Sequence, residues 1–205
     1  MAHRVFLLSP ASTSGKRCQQ LLAGDASFEL ARRMRHEGAS LGEIFSFLSA
    51  LYFRGKLTYA RRFAAPPEGC PGVLVITPNR GLVSPDVGLT LGDLRGFAEV
   101  AIDAADARYT EPLRASVDGL RPRLSSGAEV VLLGSIATAK YVDVLLPAFA
   151  KSLLFPSDFV GRGDMSRGGL LLRAAREGVE LDYRAVDGAE RHGGRPAKLA
   201  ALRRL

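Results

Sequence analysis

The 205-residue sequence has no tryptophan, only two cysteines and only three histidines. Cys18 and Cys70 show no metal-ligand spacing, and so few cysteines fit a reducing compartment. His3, His36 and His192 are scattered, so no zinc cluster is legible, and neither a metal nor a cofactor is expected. No apolar run approaches the length of a membrane span. The opening MAHRVFLLSP has a short apolar stretch and no small-residue cleavage site, so it reads as a first strand, not a signal peptide. These absences lead to the expectation of a cytoplasmic protein without a membrane partner. Also missing are the spacing G-x-x-x-x-G-K-[ST], a G-x-G-x-x-G after the first strand, H-E-x-x-H, and a Ser/His/Asp set in recognisable context.

Hydrophobic residues make up 47% of the chain, enough for a buried core without disulfides. The length suits one α/β domain over 1–190 followed by a basic C-terminal tail over 191–205. The net charge of +7 is unevenly spread. Residues 1–65 carry ten Lys/Arg against four Asp/Glu, residues 66–150 seven against ten, and residues 151–205 eleven against seven. Two basic ends bracket an acidic middle. If the ends meet in space they form one basic face suited to phosphates or nucleic acid; the plain alternative is solvated arginine on helices.

Short apolar runs mark strands at Arg4–Ser9, Val73–Thr77, Glu129–Leu133 and Ser152–Phe155, with a small edge strand at Leu181–Val186. Between them lie helical patterns at Lys16–Leu22, Ser27–His36 and, after the N-cap Ser40, Leu41–Tyr52. Gly55 is expected to break the strongly basic stretch FRGKLTYARRFA that follows. Further helices are expected over Leu91–Arg108 and Glu111–Leu124, with a break near Pro112, then over Ile136–Phe149 and Leu170–Glu177. Strands apolar on both faces and separated by helices predict an α/β fold with a mostly parallel central sheet flanked by helices. Ligands of such sheets bind beyond the carboxyl ends of the strands.

That rule selects four segments. SPASTSGKR after the first strand offers hydroxyls, backbone N–H groups and cations to an anion through Ser9, Ser14, Lys16 and Arg17. TPNRGLVSPD places Asn79 and Arg80 after a strand, with positive φ expected at Asn79 and Gly81, and carries Asp86. GSIATAKY puts Ser135 and Tyr141 around a helix start. GRGDMSRGG gathers Arg162, Asp164, Ser166 and Arg167 among four glycines, read as a loop that approaches a ligand closely. Arg54, Lys56, Arg61 and Arg62 would extend a nucleic-acid-binding face. Each segment also has a plain reading as a polar loop or a solvated face. Asp86 and Asp164 are the candidate general bases or stabilisers of a developing cation.

These segments together resemble a known family. FLLSPAST resembles the L-I-S-P-A-K-T opening of the YaaA family of peroxide-stress proteins, with Ser12 where that family has lysine. Gly81–Asp86 is similar to its Y-G-L-L-x-P-x-D element, with Arg80 in place of the tyrosine. Ala137–Leu145 is similar to A-S-x-E-Y-F-K-x-V through Tyr141, and Arg162–Arg167 to R-G-x-M-x-R through Arg162, Gly163, Met165 and Arg167. A sister group of uncharacterised bacterial domains also looks similar through YFRGKLTYARRFA. The resemblance implies an α/β fold with a basic cleft and DNA binding under oxidative stress. Broader similarity to uracil-DNA-glycosylase-like folds implies a base or nucleotide ligand.

Two functions are therefore expected to compete. One is binding of nucleic acid or a phosphorylated nucleoside in a basic cleft. The other is an N-glycosidase-like reaction on a nucleoside, nucleotide or base, with Asp164 or Asp86 stabilising an oxocarbenium-like state. A closed pocket with a carboxylate at its floor favours the second, and an open basic groove the first.

Overall fold

A computed structural model describes residues 2–194, 196, 197 and 199; much of the basic tail assigned to 191–205 lies outside them. The strands are β1 (Arg4–Leu8), β2 (Ala39–Ser40), β3 (Val73–Ile76), β4 (Leu82–Val83), β5 (Gly88–Leu89), β6 (Glu129–Leu133), β7 (Leu153–Pro156) and β8 (Tyr183–Ala185). The helices are α1 (Lys16–Leu22), α2 (Glu29–His36), α3 (Leu41–Ser49), α4 (Leu51–Phe63), α5 (Leu91–Ala98), α6 (Ala107–Leu120), α7 (Ala139–Phe149) and α8 (Asp164–Glu177). The main sheet runs β4-β3-β1-β6-β7-β8. Its four central strands are parallel, and β4 and β8 close the edges in antiparallel pairing.

β1 shows why the central strands read as unbroken apolar runs. Phe6 and Leu8 enter the core beneath α1–α4 and α8, while Val5 and Leu7 enter the core beneath α6 and α7. Alternate residues thus bury on opposite faces, and beyond Arg4 at its start the strand has no position for a polar side chain. From β1 the chain reaches β3 on one side through α1–α4. It then returns through α6 to β6 on the other side of β1. β1 and β6 lie side by side, with Leu8 opposite Leu133. Their outgoing connections diverge, which is the switch point where such sheets leave a crevice.

The fold corrects several local expectations. The helix expected over Leu41–Tyr52 breaks at Ala50, whose φ is +43°, and Gly55 sits inside α4 instead of ending it. Pro112 and Pro147 both lie within helices; the break comes at 99–105, before the N-cap Asp106. α7 starts at Ala139, so Lys140 and Tyr141 belong to its first turn. GRGDMSRGG is not a loop: α8 begins at Asp164 and includes Gly168 and Gly169. Of Asn79 and Gly81, only Gly81 has positive φ.

Candidate functional site

α4 and α8 cross at two glycines. A Cβ on Gly55 would lie 2.7 Å from the Gly168 carbonyl oxygen, and one on Gly168 would lie 2.8 Å from the Leu51 carbonyl oxygen and from Tyr52 Cα. Both contacts are backbone, so only glycine permits the approach. The packing overrides the poor helix propensity of a glycine-rich segment. It also sets the first turn of α8 against Tyr52 and Lys56, which lie one turn apart on the same face of α4.

Lys56 is fully buried, so it cannot serve a solvent-exposed nucleic-acid face as its basic neighbourhood suggests. Its Nζ donates to the Ser9 carbonyl oxygen at 2.5 Å and to Ser9 Oγ at 2.8 Å. The ammonium also sits 4.3 Å from the centre of the Tyr52 ring. Burial pulls the Lys56 pKa down from 10.5 to about 7; Asp164 opposes that shift and Arg167 adds to it. The Ser9 hydroxyl in turn donates to the Leu133 carbonyl oxygen at the end of β6, at 3.2 Å. The Tyr141 hydroxyl stands beside Ser9, with its pKa pushed up to about 12 by burial. Burial likewise raises the Tyr52 phenol, whose buried oxygen lies near Arg167 without a hydrogen bond of ordinary geometry.

Above Ser9, at the ends of β1 and β6, opens a cavity of about 240 Å³. Ser9, Ser12, Ser135, Tyr141, Asp164 and Arg167 supply its polar wall, and Tyr52 part of its floor. Arg167 is held rigidly: its side chain is 11% exposed, Nη2 donates to the Phe159 carbonyl oxygen at 2.9 Å, and the guanidinium lies over the Phe159 ring. Asp164 is 3.5 Å from Arg167 Nη1 but 70% exposed, so it stands at the rim. Both α7 and α8 begin at this cavity, and neither N-cap residue makes a side-chain capping bond. The N–H groups of these first turns and the helix dipoles add positive potential where Arg167 already supplies a charge.

A neighbouring cavity of about 630 Å³ shares Asp164. Leu51, Met165, Pro196 and Leu199 give it an apolar wall, with Arg162 and Ser166 beside them. Arg162 is turned mainly toward the protein, its Nη1 within 3.4 Å of Ser166 Oγ and 3.3 Å of the Ala197 carbonyl oxygen.

The fold thus brings together Ser9, Ser135, Tyr141, Asp164 and Arg167, with Lys56 beneath them and Ser166 and Arg162 next door. The other expected residues lie outside the first cavity. Ser14 is exposed and faces Ser12 at 3.3 Å, and Lys16 is exposed at the start of α1. Arg17 is spent on the Phe47 carbonyl oxygen. Asn79 donates to the Gly96 carbonyl oxygen, and Arg80 pairs with Asp93 over the Phe97 ring. Asp86 is an exposed partner of Arg61 at 2.5 Å, so it does not share a site with Asp164. Arg54 and Arg62 project from the exposed face of α4. Of the candidate cations Lys16, Arg17, Arg162 and Arg167, only Arg167 lines the cavity. Ser12, within the candidate loop after β1, also lines the cavity, whereas Tyr52 and Ser49 are lining residues that lie outside the four selected segments; the i, i+4 spacing of Tyr52 and Lys56 was the available signal.

Among the described residues no three His, Cys, Asp or Glu side chains stand together to hold a metal ion. Among them, too, no helix is long and apolar enough to cross a membrane. No family model, curated protein or solved structure matches this chain.

Proposed function

We propose that the chain binds a small phosphorylated ligand of the nucleotide class, with a terminal phosphate in the cavity between the ends of β1 and β6. The observation that carries this reading is the convergence of one ordered arginine, several hydroxyls and two helix starts without side-chain caps on a space of about 240 Å³. A guanidinium, hydroxyls and free N–H groups form the donor set that a phosphate takes. The volume suits a phosphate and part of a sugar. The nucleoside end would extend over Leu51, Met165 and Pro196 in the adjoining cavity. Three residues that carry the resemblance to the YaaA family, Ser9, Tyr141 and Arg167, line this one cavity, which supports a nucleotide over an unrelated anion.

The alternatives fit less well. An extended nucleic-acid groove would need Arg61 and Arg80 free, yet both are paired with carboxylates. An N-glycosidase would place a carboxylate at the cavity floor, whereas Asp164 sits at the rim. Titration calorimetry with nucleoside monophosphates and their bare nucleosides tests the reading. Binding should require the phosphate and weaken about tenfold to a hundredfold in Arg167→Met, the loss of a charged hydrogen-bond donor. Equal binding of the bare nucleoside, or unchanged affinity in Arg167→Met, would contradict it.

A further inference from the structure

We propose that Ser9 and Lys56 form a nucleophile–base pair that attacks a phosphoryl group held in this cavity, making the site a phosphoanhydride-cleaving centre and not only a binding site. This step rests on the phosphate reading given above. Three observations carry it. Ser9 lies in the cavity wall, at the end of β1, with Lys56 Nζ 2.8 Å from its Oγ. Lys56 is fully buried behind Ser9 and is absent from the cavity lining, so its polar reach into the site runs through that hydroxyl. A neutral amine is also fully satisfied in this position. One N–H meets the Ser9 carbonyl oxygen and another faces the Tyr52 ring; the Ser9 hydroxyl, which donates to the Leu133 carbonyl oxygen while it accepts from the ammonium, turns about Cβ–Oγ to face the lone pair of the neutral amine.

The proton balance follows from that placement. The Ser9 hydroxyl proton passes to Lys56 Nζ as Oγ bonds to phosphorus, and the anhydride P–O bond opposite Oγ breaks. The leaving phosphate departs as an anion toward the cavity mouth and needs no proton from the enzyme. Water then attacks the phosphoserine from the vacated side, the P–Oγ bond breaks, and the Lys56 ammonium returns its proton to Oγ. The proton of the attacking water leaves with the second phosphate or to solvent. The sum is anhydride plus water giving two phosphates. Arg167 is placed to hold the charge that develops on the phosphoryl oxygens. A lysine whose charge is suppressed by burial is the form able to accept the proton at neutral pH. The titratable and charged groups facing the pair are Asp164 and Arg167 from α8, Tyr52 from α4 and Tyr141 from α7.

A fluorophosphonate probe supplies the same tetrahedral electrophile with a leaving group that needs no proton. Incubated with the full chain, it should add once, at Ser9, as read by mass spectrometry of the intact protein and its peptides. The labelling rate should rise about tenfold per pH unit below about 7 and level off above it, the profile of a single base. Ser9→Ala should abolish the adduct, and Lys56→Met should slow it at least about a hundredfold with the circular dichroism spectrum unchanged. If Lys56→Met does not fold, the pH profile of the unsubstituted chain decides. No adduct at Ser9, a rate flat from roughly pH 5 to 9, or unchanged labelling in a folded Lys56→Met would overturn the proposal. Phosphate-dependent binding in calorimetry without Ser9 labelling removes the pair and leaves the binding reading intact. Labelling without phosphate-dependent binding removes the phosphate chemistry on which the pair depends.

Discussion

Two regions carry polar and cationic residues at the ends of strands, and they use them in opposite ways. After β3, Arg80 bonds Asp93, which already accepts from the Thr90 backbone N–H and hydroxyl at the start of α5. Asp86 meets Arg61 in solvent. Each of these four charges is answered by a neighbour on the surface, so the region works as helix capping and solvation. At the α4–α8 crossing, Lys56 is buried against Ser9, and Arg167 is anchored by a backbone carbonyl. The polar atoms they face open into a cavity. Residue type is the same in both regions; only backbone approach and burial separate a capping arginine from a ligand-binding one.

The contrast is easiest to break at the glycines. Gly55→Val would push a branched side chain into the Gly168 carbonyl and is expected to cost about 3 kcal/mol or more in urea unfolding, the upper range of overpacking. An ordinary loss below about 0.5 kcal/mol would mean that the crossing is not tight. Lys56 provides the next largest effect through pH. Between about 7 and its ordinary 10.5, the unfolded chain binds a proton that the native chain does not. Stability relative to Lys56→Met should therefore rise with pH across that window, with a limiting slope of about 1.4 kcal/mol per unit, and stay flat below it. Parallel unfolding curves at several pH values would show no such slope if Lys56 remains charged.

On the other side of the comparison the effects shrink. Thr90→Ala removes the side-chain cap of α5 and should cost about 1 kcal/mol by thermal unfolding, with ligand affinity unchanged. Asp86→Asn breaks an exposed pair and should change stability by less than about 1 kcal/mol. Should Asp86→Asn instead remove ligand binding, the division between the two regions would be wrong.

The sheet was legible because its signals are local. Val5, Phe6, Leu7 and Leu8 must bury on both faces, and Glu129–Leu133 reads the same way. The α1 boundaries also follow from local pattern. Ala50 was not legible: alanine favours helix, and nothing beside it marks a positive φ. GRGDMSRGG misled because four glycines argue for a loop, whereas two of them lie in α8 and one of these serves a helix crossing set by the distant Gly55. Lys56 misled because its neighbours Arg54, Arg61 and Arg62 are solvated. Its place on the face shared with Tyr52, Phe53 and Tyr59 distinguishes it, and that distinction needs the helix to continue through Gly55.

On this reading anions bind between the ends of β1 and β6 and not along the arginine-rich surface. Crystals soaked in tungstate, an oxyanion with the shape of phosphate and a strong anomalous signal, test it directly. One dominant peak is expected within contact of Arg167, Ser135 and Ser9. A dominant peak at Arg80 or Arg61, or peaks scattered over the exposed arginines with none in the cavity, would contradict it.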